Sequence, residues 1–217
     1  MYQRFFYGKR HELCLHPIVL GVIFAAIYAV SFLILDQPLA KFVRTDVPEN
    51  FIVAVKLFIR ITIQVSPLPL LFLFRQYKMS KSLNGAHRNR IMILVTSFIV
   101  AIIFVILLKL IFGRSGPSDY LTVGTYGFHY FQGKLAVSSF PSVFCAGAGA
   151  AAATFWVIAP SYRLTIILLS LLGLCSQVAT EAVFLSDGLA GFAVGIIVFA
   201  GLKKLFDACG TVLAESE

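Results

Sequence analysis

Residues 91–112 form an apolar run in which Lys109, near the end, is the only charged side chain. About 20 helical residues cross a hydrocarbon core of about 30 Å, so this run is long enough to span a membrane. The whole chain of 217 residues has the same character, with 59% hydrophobic and 13% charged residues. Soluble domains are on average about a quarter charged. The sequence therefore predicts an all-α integral membrane protein.

Six apolar segments are expected to cross the membrane, so that residues 1–217 make one membrane domain built as a six-helix bundle. The second segment contains Pro67 and Pro69 and is expected to be a kinked crossing. Residues 51–63 carry Lys56 and Arg60 four positions apart, which predicts an amphipathic helix at the interface. The predicted spans are 18–35, 61–75, 91–112, 143–159, 164–178 and 189–205.

Six spans would place both chain termini and every second loop on one side of the membrane. Lysine and arginine residues are more numerous in these segments than in the remaining loops. Cytoplasmic loops carry such an excess, so both termini are predicted to be cytoplasmic and the loop 113–140 to face outward. The first apolar run follows a polar stretch and has no small-residue cleavage pattern, so we expect a permanent anchor. A bacterial inner membrane is the expected location, with the functional site on the periplasmic or outer face.

Cysteine spacing and charge pattern exclude several classes of site. The cysteines Cys14, Cys145, Cys175 and Cys209 are scattered, which predicts neither a disulfide framework nor a metal site. The net charge of +8 comes without a basic tract interleaved with aromatic residues, so no nucleic-acid partner is expected. No cofactor is expected, and membrane lipids are the predicted partners, with other integral membrane proteins as a further class.

Small residues are concentrated in two of the predicted spans. Residues 147–153 read GAGAAAA, and Gly191 and Gly195 lie four positions apart in the sixth span. Side chains this small let helix backbones approach closely inside a bilayer. We therefore expect these segments to form the tightly packed centre of the bundle.

Three polar stretches are expected to meet on the outward face: KLIFGRSGP at 109–117, SSFPSVF at 138–144 and SQVATEAVFLSD at 176–187. In order and separation they resemble the motifs of the type 2 phosphatidic acid phosphatase (PAP2) superfamily, the integral-membrane lipid phosphatases related to vanadium haloperoxidases. The matching residues are Lys109, Gly113, Arg114, Pro117, Tyr126, Gly127, Phe128, Ser139, Phe140, Pro141, Ser142, Ser176, Asp187, Leu189, Ala190 and Gly191.

The positions at which the resemblance implies catalytic residues carry other side chains here. Gly116 and Gln177 stand where the family has the arginines of its phosphate clamp. Phe144 stands at the histidine after P-S, and Val183 at the nucleophilic histidine. Phosphomonoester hydrolysis needs a nucleophile, an acid and matching cations, and these four side chains supply none of them. The sequence therefore predicts no ordinary phosphatase activity.

The retained polar residues allow two interpretations. Lys109, Arg114 and Ser142 are candidates for binding a phosphate or lipid headgroup, because Ser142 begins an apolar helix whose N-terminus attracts anions. Alternatively, Lys109 and Arg114 pair with Glu181 and Asp187 and close the pocket, because charges at bilayer depth are costly unless paired. The charge balance favours the second interpretation.

The resulting functional prediction is a catalytically inactive PAP2-like protein that binds lipid or serves as an accessory subunit of a membrane assembly. The alternative is a divergent lipid phosphatase or phosphoryl transferase that acts on a lipid phosphate at the outer face. It would use Lys109, Arg114 and Asp187, with His129 as a substitute catalytic residue. That alternative requires His129 to lie within hydrogen-bonding reach of Lys109 and Asp187.

Overall fold

The computed structural model describes residues 17–55, 57, 85–131 and 138–208. Within these ranges the chain is helical apart from connecting turns and two isolated β-bridges. This agrees with the predicted all-α membrane class. The helices are α1 (Pro17–Val30), α2 (Asp36–Asp46), α3 (Gly85–Phe112), α4 (Pro117–Val123), α5 (Val143–Ile158), α6 (Arg163–Ala179) and α7 (Leu185–Ala208).

Four helical segments of the described part are long and apolar enough to cross a membrane: Gly21–Asp46, Asn89–Phe112, Pro160–Ala179 and Leu185–Ala208. They correspond to the predicted spans 18–35, 91–112, 164–178 and 189–205. The predicted span 143–159 corresponds to α5, which is apolar but only 16 residues long. The predicted span 61–75 and most of the predicted interfacial segment 51–63 lie outside the described residues, although residues 49–55 are helical.

The first span continues beyond its predicted end at residue 35. A π-helical turn, Ser31–Leu35, joins α1 to α2, and the helix runs on to Asp46. The sequence predicts a span over 18–35, whereas the helical segment extends from Gly21 to Asp46. The side chain of Asp36 is fully buried and ion-paired, so it belongs to the packed interior of the bundle.

The centre of the bundle is the packing of α5 against α7, with α3 lying against both. Glycines allow this close approach, as their spacing predicts. A Cβ atom added to Gly195 would lie 2.1 Å from the carbonyl oxygen of Ala146, and one added to Gly149 would lie 2.3 Å from that of Phe192. The backbones of α5 and α7 therefore touch directly.

The predicted outward loop 113–140 contains a short helix that the sequence analysis did not anticipate. Gly116 is the N-cap of α4 and Pro117 occupies its first turn, where the missing proline N–H costs nothing. Gly124 ends α4 in the left-handed conformation, with φ of 76°. β-bridges from Arg114 to Phe128 and from Ser115 to Ser138 hold this region over the ends of α3 and α5.

Candidate functional site

A cavity of about 480 Å³ lies between α3 and α5, at the end of the bundle where α4 and the turn before α5 are found. One end of it is lined by polar residues, namely Lys109, Gln177 and three serines. The serines are Ser138, Ser139 and Ser142. The sequence analysis predicted that these three stretches of chain meet, and the structure brings them together.

The walls of the cavity are apolar and extend along α3 and α5 toward the middle of the two helices. Phe98, Ile102 and Lys109 lie on one face of α3, and Phe144 and Ala151 lie two turns apart on α5. Phe98 and Lys109 are 11 positions apart, which corresponds to about 16 Å of helix. The cavity is therefore elongated, with a polar end at Lys109 and an apolar end at Phe98.

The cavity also contains three of the positions at which this chain departs from the family motifs. Phe144, Gln177 and Val183 all line it, next to the retained Lys109 and Ser142. The positions that depart from the motifs and the positions that match them thus line one cavity. Gly116 lies beside it rather than in its lining, since a Cβ atom there would be 3.8 Å from that of Ser139.

Ser142 is the N-cap of α5, as the sequence predicts. Its backbone is extended, and its hydroxyl oxygen accepts a hydrogen bond of 3.3 Å from the backbone N–H of Cys145. The backbone N–H of Ser142 donates to the carbonyl of Asp187 at 3.1 Å, so the N–H groups of Val143 and Phe144 are the ones left without an acceptor within the helix. The start of α5 therefore presents N–H donors and the positive end of the helix dipole to the polar end of the cavity.

Gln177 lines the same polar end from α6 and is only 5% exposed. Its amide nitrogen Nε2 is buried and has no hydrogen-bond partner among the described residues. A buried amide without a partner costs about 1–3 kcal/mol. Gln177 is therefore a donor available to a bound group.

Arg114 does not line the cavity. Its guanidinium group is fully buried between two aspartates, donating to Asp36 at 2.8 Å and also to Asp187. It donates as well to the hydroxyl of Ser186 at 2.8 Å and to that of Tyr126 at 2.9 Å. The sequence predicts that Arg114 binds a headgroup, but the structure places this residue in a buried ion-pair network. We call this network the Arg114 cluster (Asp36, Arg114, Ser186 and Asp187).

Aromatic rings surround the guanidinium group of Arg114. Its central carbon lies 4.7 Å from the ring centre of Phe32, 5.1 Å from that of Tyr126 and 4.5 Å from that of Phe184. Burial opposes the charge of Arg114, but the Coulombic attraction of Asp187 and the hydrogen bond to Asp36 outweigh burial and raise the pKa of Arg114 above its ordinary value. For Tyr126, burial raises the pKa of the phenol. The neutral phenol donates to the carbonyl of Phe32 in the π-helical turn at 2.7 Å.

Both aspartates of the Arg114 cluster also accept hydrogen bonds from backbone N–H groups at the start of α7. Asp36 accepts the backbone N–H of Ser186 at 3.0 Å, and Asp187 accepts that of Phe184 at 3.3 Å. Carboxylates are favoured at a helix N-terminus because they complement its dipole. The two carboxylates therefore stabilise the N-terminus of α7 as well as pairing with Arg114.

The pairing of acidic and basic groups differs in part from the predicted set. Asp187 pairs with Arg114 as predicted, but Glu181 pairs with Arg44 of α2 at 3.2 Å. Lys109 donates to the carbonyl of Ser138, so its ammonium group stays in the cavity lining. The prediction that Lys109, Arg114, Glu181 and Asp187 pair with one another and close the pocket needs correction. Asp36 pairs with Arg114, Arg44 pairs with Glu181, and the cavity is open.

His129 lies on the outer loop beside α3, where its backbone N–H donates to the carbonyl of Gly113 at 3.1 Å. It is outside the cavity lining. No hydrogen bond joins its imidazole to Lys109 or Asp187 among the residues described here. The geometry required for a substitute catalytic histidine is therefore not found.

Sequence reasoning missed Asp36 and the Arg44–Glu181 pair. A signal for Asp36 was present, because ionisable residues within an apolar span are rare and are usually paired with a partner in the bundle. The link between Arg44 and Glu181 spans 137 positions along the chain, and no local pattern reports it.

The family model of the PAP2 superfamily matches residues 90–210, which is more than half of the chain. The chain belongs to the PAP2 superfamily. This confirms the resemblance drawn from the motifs, and the match covers most of α3 and all of α4 to α7, including every residue of the cavity lining.

Two curated bacterial proteins are similar to this PAP2 chain, and both are named lipid A 1-phosphatase. The protein of Rhizobium etli is 31% identical over 152 residues, which cover 63% of this chain and 66% of the relative. The protein of Rhizobium johnstonii is 30% identical over 149 residues, which cover 64% of this chain and 61% of the relative. The chain thus spans less than two thirds of the length of either relative. No solved structure matches it.

Proposed function

We propose that this PAP2 protein binds a phosphorylated membrane lipid, with the phosphate at the polar end of the α3–α5 cavity, and does not cleave it. One observation carries the proposal. A single cavity holds Lys109, Ser142 and Gln177, which can donate hydrogen bonds to a phosphate, while Phe144 and Val183 occupy the positions of the two PAP2 motif histidines, the acid and the nucleophile. The shape of the cavity supports a lipid, because its apolar walls continue inward from the polar end.

Hydrolysis has no obvious route in this cavity. Removing a catalytic nucleophile costs on the order of a millionfold in turnover, and removing a general acid costs about a hundredfold to ten-thousandfold. The benzyl group of Phe144 and the isopropyl group of Val183 transfer no protons. Binding survives the loss of both groups because it needs only donors and a cation.

A lipid phosphatase is the second candidate, and the names of the two relatives favour it over a non-catalytic role. It requires a nucleophile other than the family histidine, and the candidate is His129, with Lys109, Arg114 and Asp187 beside it. In the structure Arg114 and Asp187 bind each other, and His129 lies outside the cavity. These placements support binding without turnover.

The proposal includes the arrangement of the chain in the membrane. We infer six crossings in one domain, with α5 and the segment 61–75 as the two beyond the four long apolar helices. Both termini face the cytoplasm of a bacterial inner membrane, and the cavity opens toward the outer leaflet. An accessory role beside another membrane protein remains a prediction from the sequence.

The test combines binding and turnover on the purified full chain. Calorimetric titration with short-chain lipid phosphates is expected to show binding that Lys109→Met weakens at least tenfold, and Lys203→Met is the control. Lys203 is exposed at the other end of α7, paired with Asp207 at 2.9 Å. Inorganic phosphate released from lipid A 1-phosphate or phosphatidic acid should stay at the level of a protein-free blank.

Either of two results would overturn the proposal. Phosphate release well above the blank, abolished by a substitution in the cavity, would establish the phosphatase instead. Binding that is equal in the wild type, Lys109→Met and Lys203→Met would remove the cavity as the lipid site.

A further inference from the structure

We infer that the cavity selects lipid phosphates with one negative charge, the phosphodiesters of ordinary phospholipids, over doubly charged phosphomonoesters. The inference rests on the proposed binding function and specifies its ligand class. It follows from the number and position of charged groups around the polar end of the cavity.

Lys109 supplies the positive charge of the cavity. Among the residues that the structure describes, no other cation lines it. The nearest second cation is Arg114, whose guanidinium group is bound by Asp36 and Asp187. With two carboxylates around its one guanidinium, the Arg114 cluster adds no net positive charge to the cavity. Within the part of the chain that the structure describes, a ligand therefore meets one full positive charge, that of Lys109.

The remaining donors are neutral. They are the amide of Gln177, buried and without a partner in the described part of the chain, the hydroxyl of Ser142, and the first N–H groups of α5. Such groups bind phosphate oxygens and favour an anion through the helix dipole, but each contributes at most a fraction of a charge. They are sufficient to orient a phosphate and insufficient to balance a second full charge.

A monoanion is balanced by Lys109, whereas a dianion brings a second charge beside the apolar side chains of Val143, Phe144 and Val183. An unpaired charge in apolar surroundings is strongly disfavoured, and such groups usually change protonation instead. A phosphomonoester can do so, since its second pKa is about 6. It is therefore expected to bind as the singly protonated form.

This has a measurable consequence for pH dependence. At pH 7.5 about 3% of a phosphomonoester is singly charged, so its apparent affinity should be about thirtyfold below its low-pH limit. A phosphodiester keeps one charge throughout and should show no such change. The charged groups facing the phosphate are Lys109 from α3 and, behind it, Asp187 of α7 with Arg114 and Asp36. The diester titration corrects for any titration of these groups.

The experiment titrates the purified full chain with dihexanoyl phosphatidylglycerol, a diester, and dihexanoyl phosphatidic acid, a monoester, at pH 5.5, 6.5 and 7.5. The diester should bind with constant affinity. The monoester should weaken about twenty- to thirtyfold between pH 5.5 and 7.5. Inorganic phosphate, which lacks acyl chains, should not displace the diester at equal concentration, and displacement by it would overturn the lipid assignment.

A charge-adding variant provides a second readout. Gln177→Arg places a cation where the amide has no partner and should raise monoester binding at pH 7.5 at least tenfold relative to the diester. Gln177→Met is the uncharged control and should weaken both lipids similarly. The wild-type pH series tests the inference by itself if either variant fails to fold.

Failure of the inference and failure of the proposed function are distinguishable. Monoester binding that is tighter than diester binding at pH 7.5 and independent of pH would overturn the charge selection and leave lipid binding intact. Diester binding that Lys109→Met does not weaken would overturn both.

Discussion

Arg114 is the largest side chain with no exposed surface in the described part of the protein. It connects three elements that are distant in sequence, because Asp36 begins α2, Asp187 lies in the first turn of α7, and Arg114 itself follows α3. A buried ion pair contributes little net stability over an apolar replacement, but removing one partner leaves an uncompensated buried charge. Arg114 is therefore a structural residue whose loss should be severe.

Arg114→Met should lower the free energy of unfolding by about 3–5 kcal/mol, because two buried carboxylates then lose their partner. The measurement is the thermal unfolding midpoint in detergent. Lys203→Met, which breaks the exposed pair with Asp207, is the matched control and should cost about 0–1 kcal/mol. Equal midpoints for the two variants would contradict the structural role of Arg114.

Lys109 and Arg114 illustrate what residue types alone predict. Both were candidates for one headgroup site, because both flank the same span and carry the charge that attracts phosphate. The structure separates them, since Asp36 reaches Arg114 from a helix 78 positions earlier while Lys109 remains at the cavity. Local pattern identified the charges, and only the folded arrangement of α2 determined which one is available.

At the scale of helices, the sequence predicted what depends on hydropathy and small residues. Spans at 91–112 and 189–205 and the close packing of α5 on α7 follow from apolar length and glycine spacing. The continuation of α1 into α2 through a π turn was missed, because Asp36 looks like the end of a span unless its distant partner is known. Helix α4 was missed because seven residues within a polar loop give too little periodicity.

The glycine contacts between α5 and α7 lead to a prediction with an internal control. Gly195→Ala places a methyl group 2.1 Å from the Ala146 carbonyl oxygen, where the backbone must shift, and overpacking of this kind costs about 1–3 kcal/mol or more. Gly201→Ala on the same helix meets nothing within 4 Å and should be neutral or stabilise by up to about 1 kcal/mol. The thermal midpoint should therefore fall for Gly195→Ala and stay level or rise for Gly201→Ala, and an equal fall in both variants would contradict direct backbone contact.

At the scale of the whole molecule, one end of the bundle carries the polar chemistry. The start of α5, the start of α7 and the end of α3 lie together there, beneath α4 and the β-bridged segments. The turn at Pro160–Tyr162, between α5 and α6, lies at the opposite end. Lys203 and Lys204, in the final turns of α7, belong to that opposite end, where Arg163 also lies. The positive-inside rule therefore predicts that the cavity end faces outward.

Cysteine labelling in intact cells tests this orientation. In a background where Cys14, Cys145, Cys175 and Cys209 are replaced by alanine, Val123→Cys and Ser161→Cys place single thiols at the two ends. Val123 is 74% exposed at the end of α4, and Ser161 is exposed in the turn between α5 and α6. An impermeant maleimide applied from the periplasmic side should label Val123→Cys, and Ser161→Cys should react only after the membrane is disrupted. The reverse pattern would place the cavity on the cytoplasmic side, where a lipid of the outer leaflet cannot reach it.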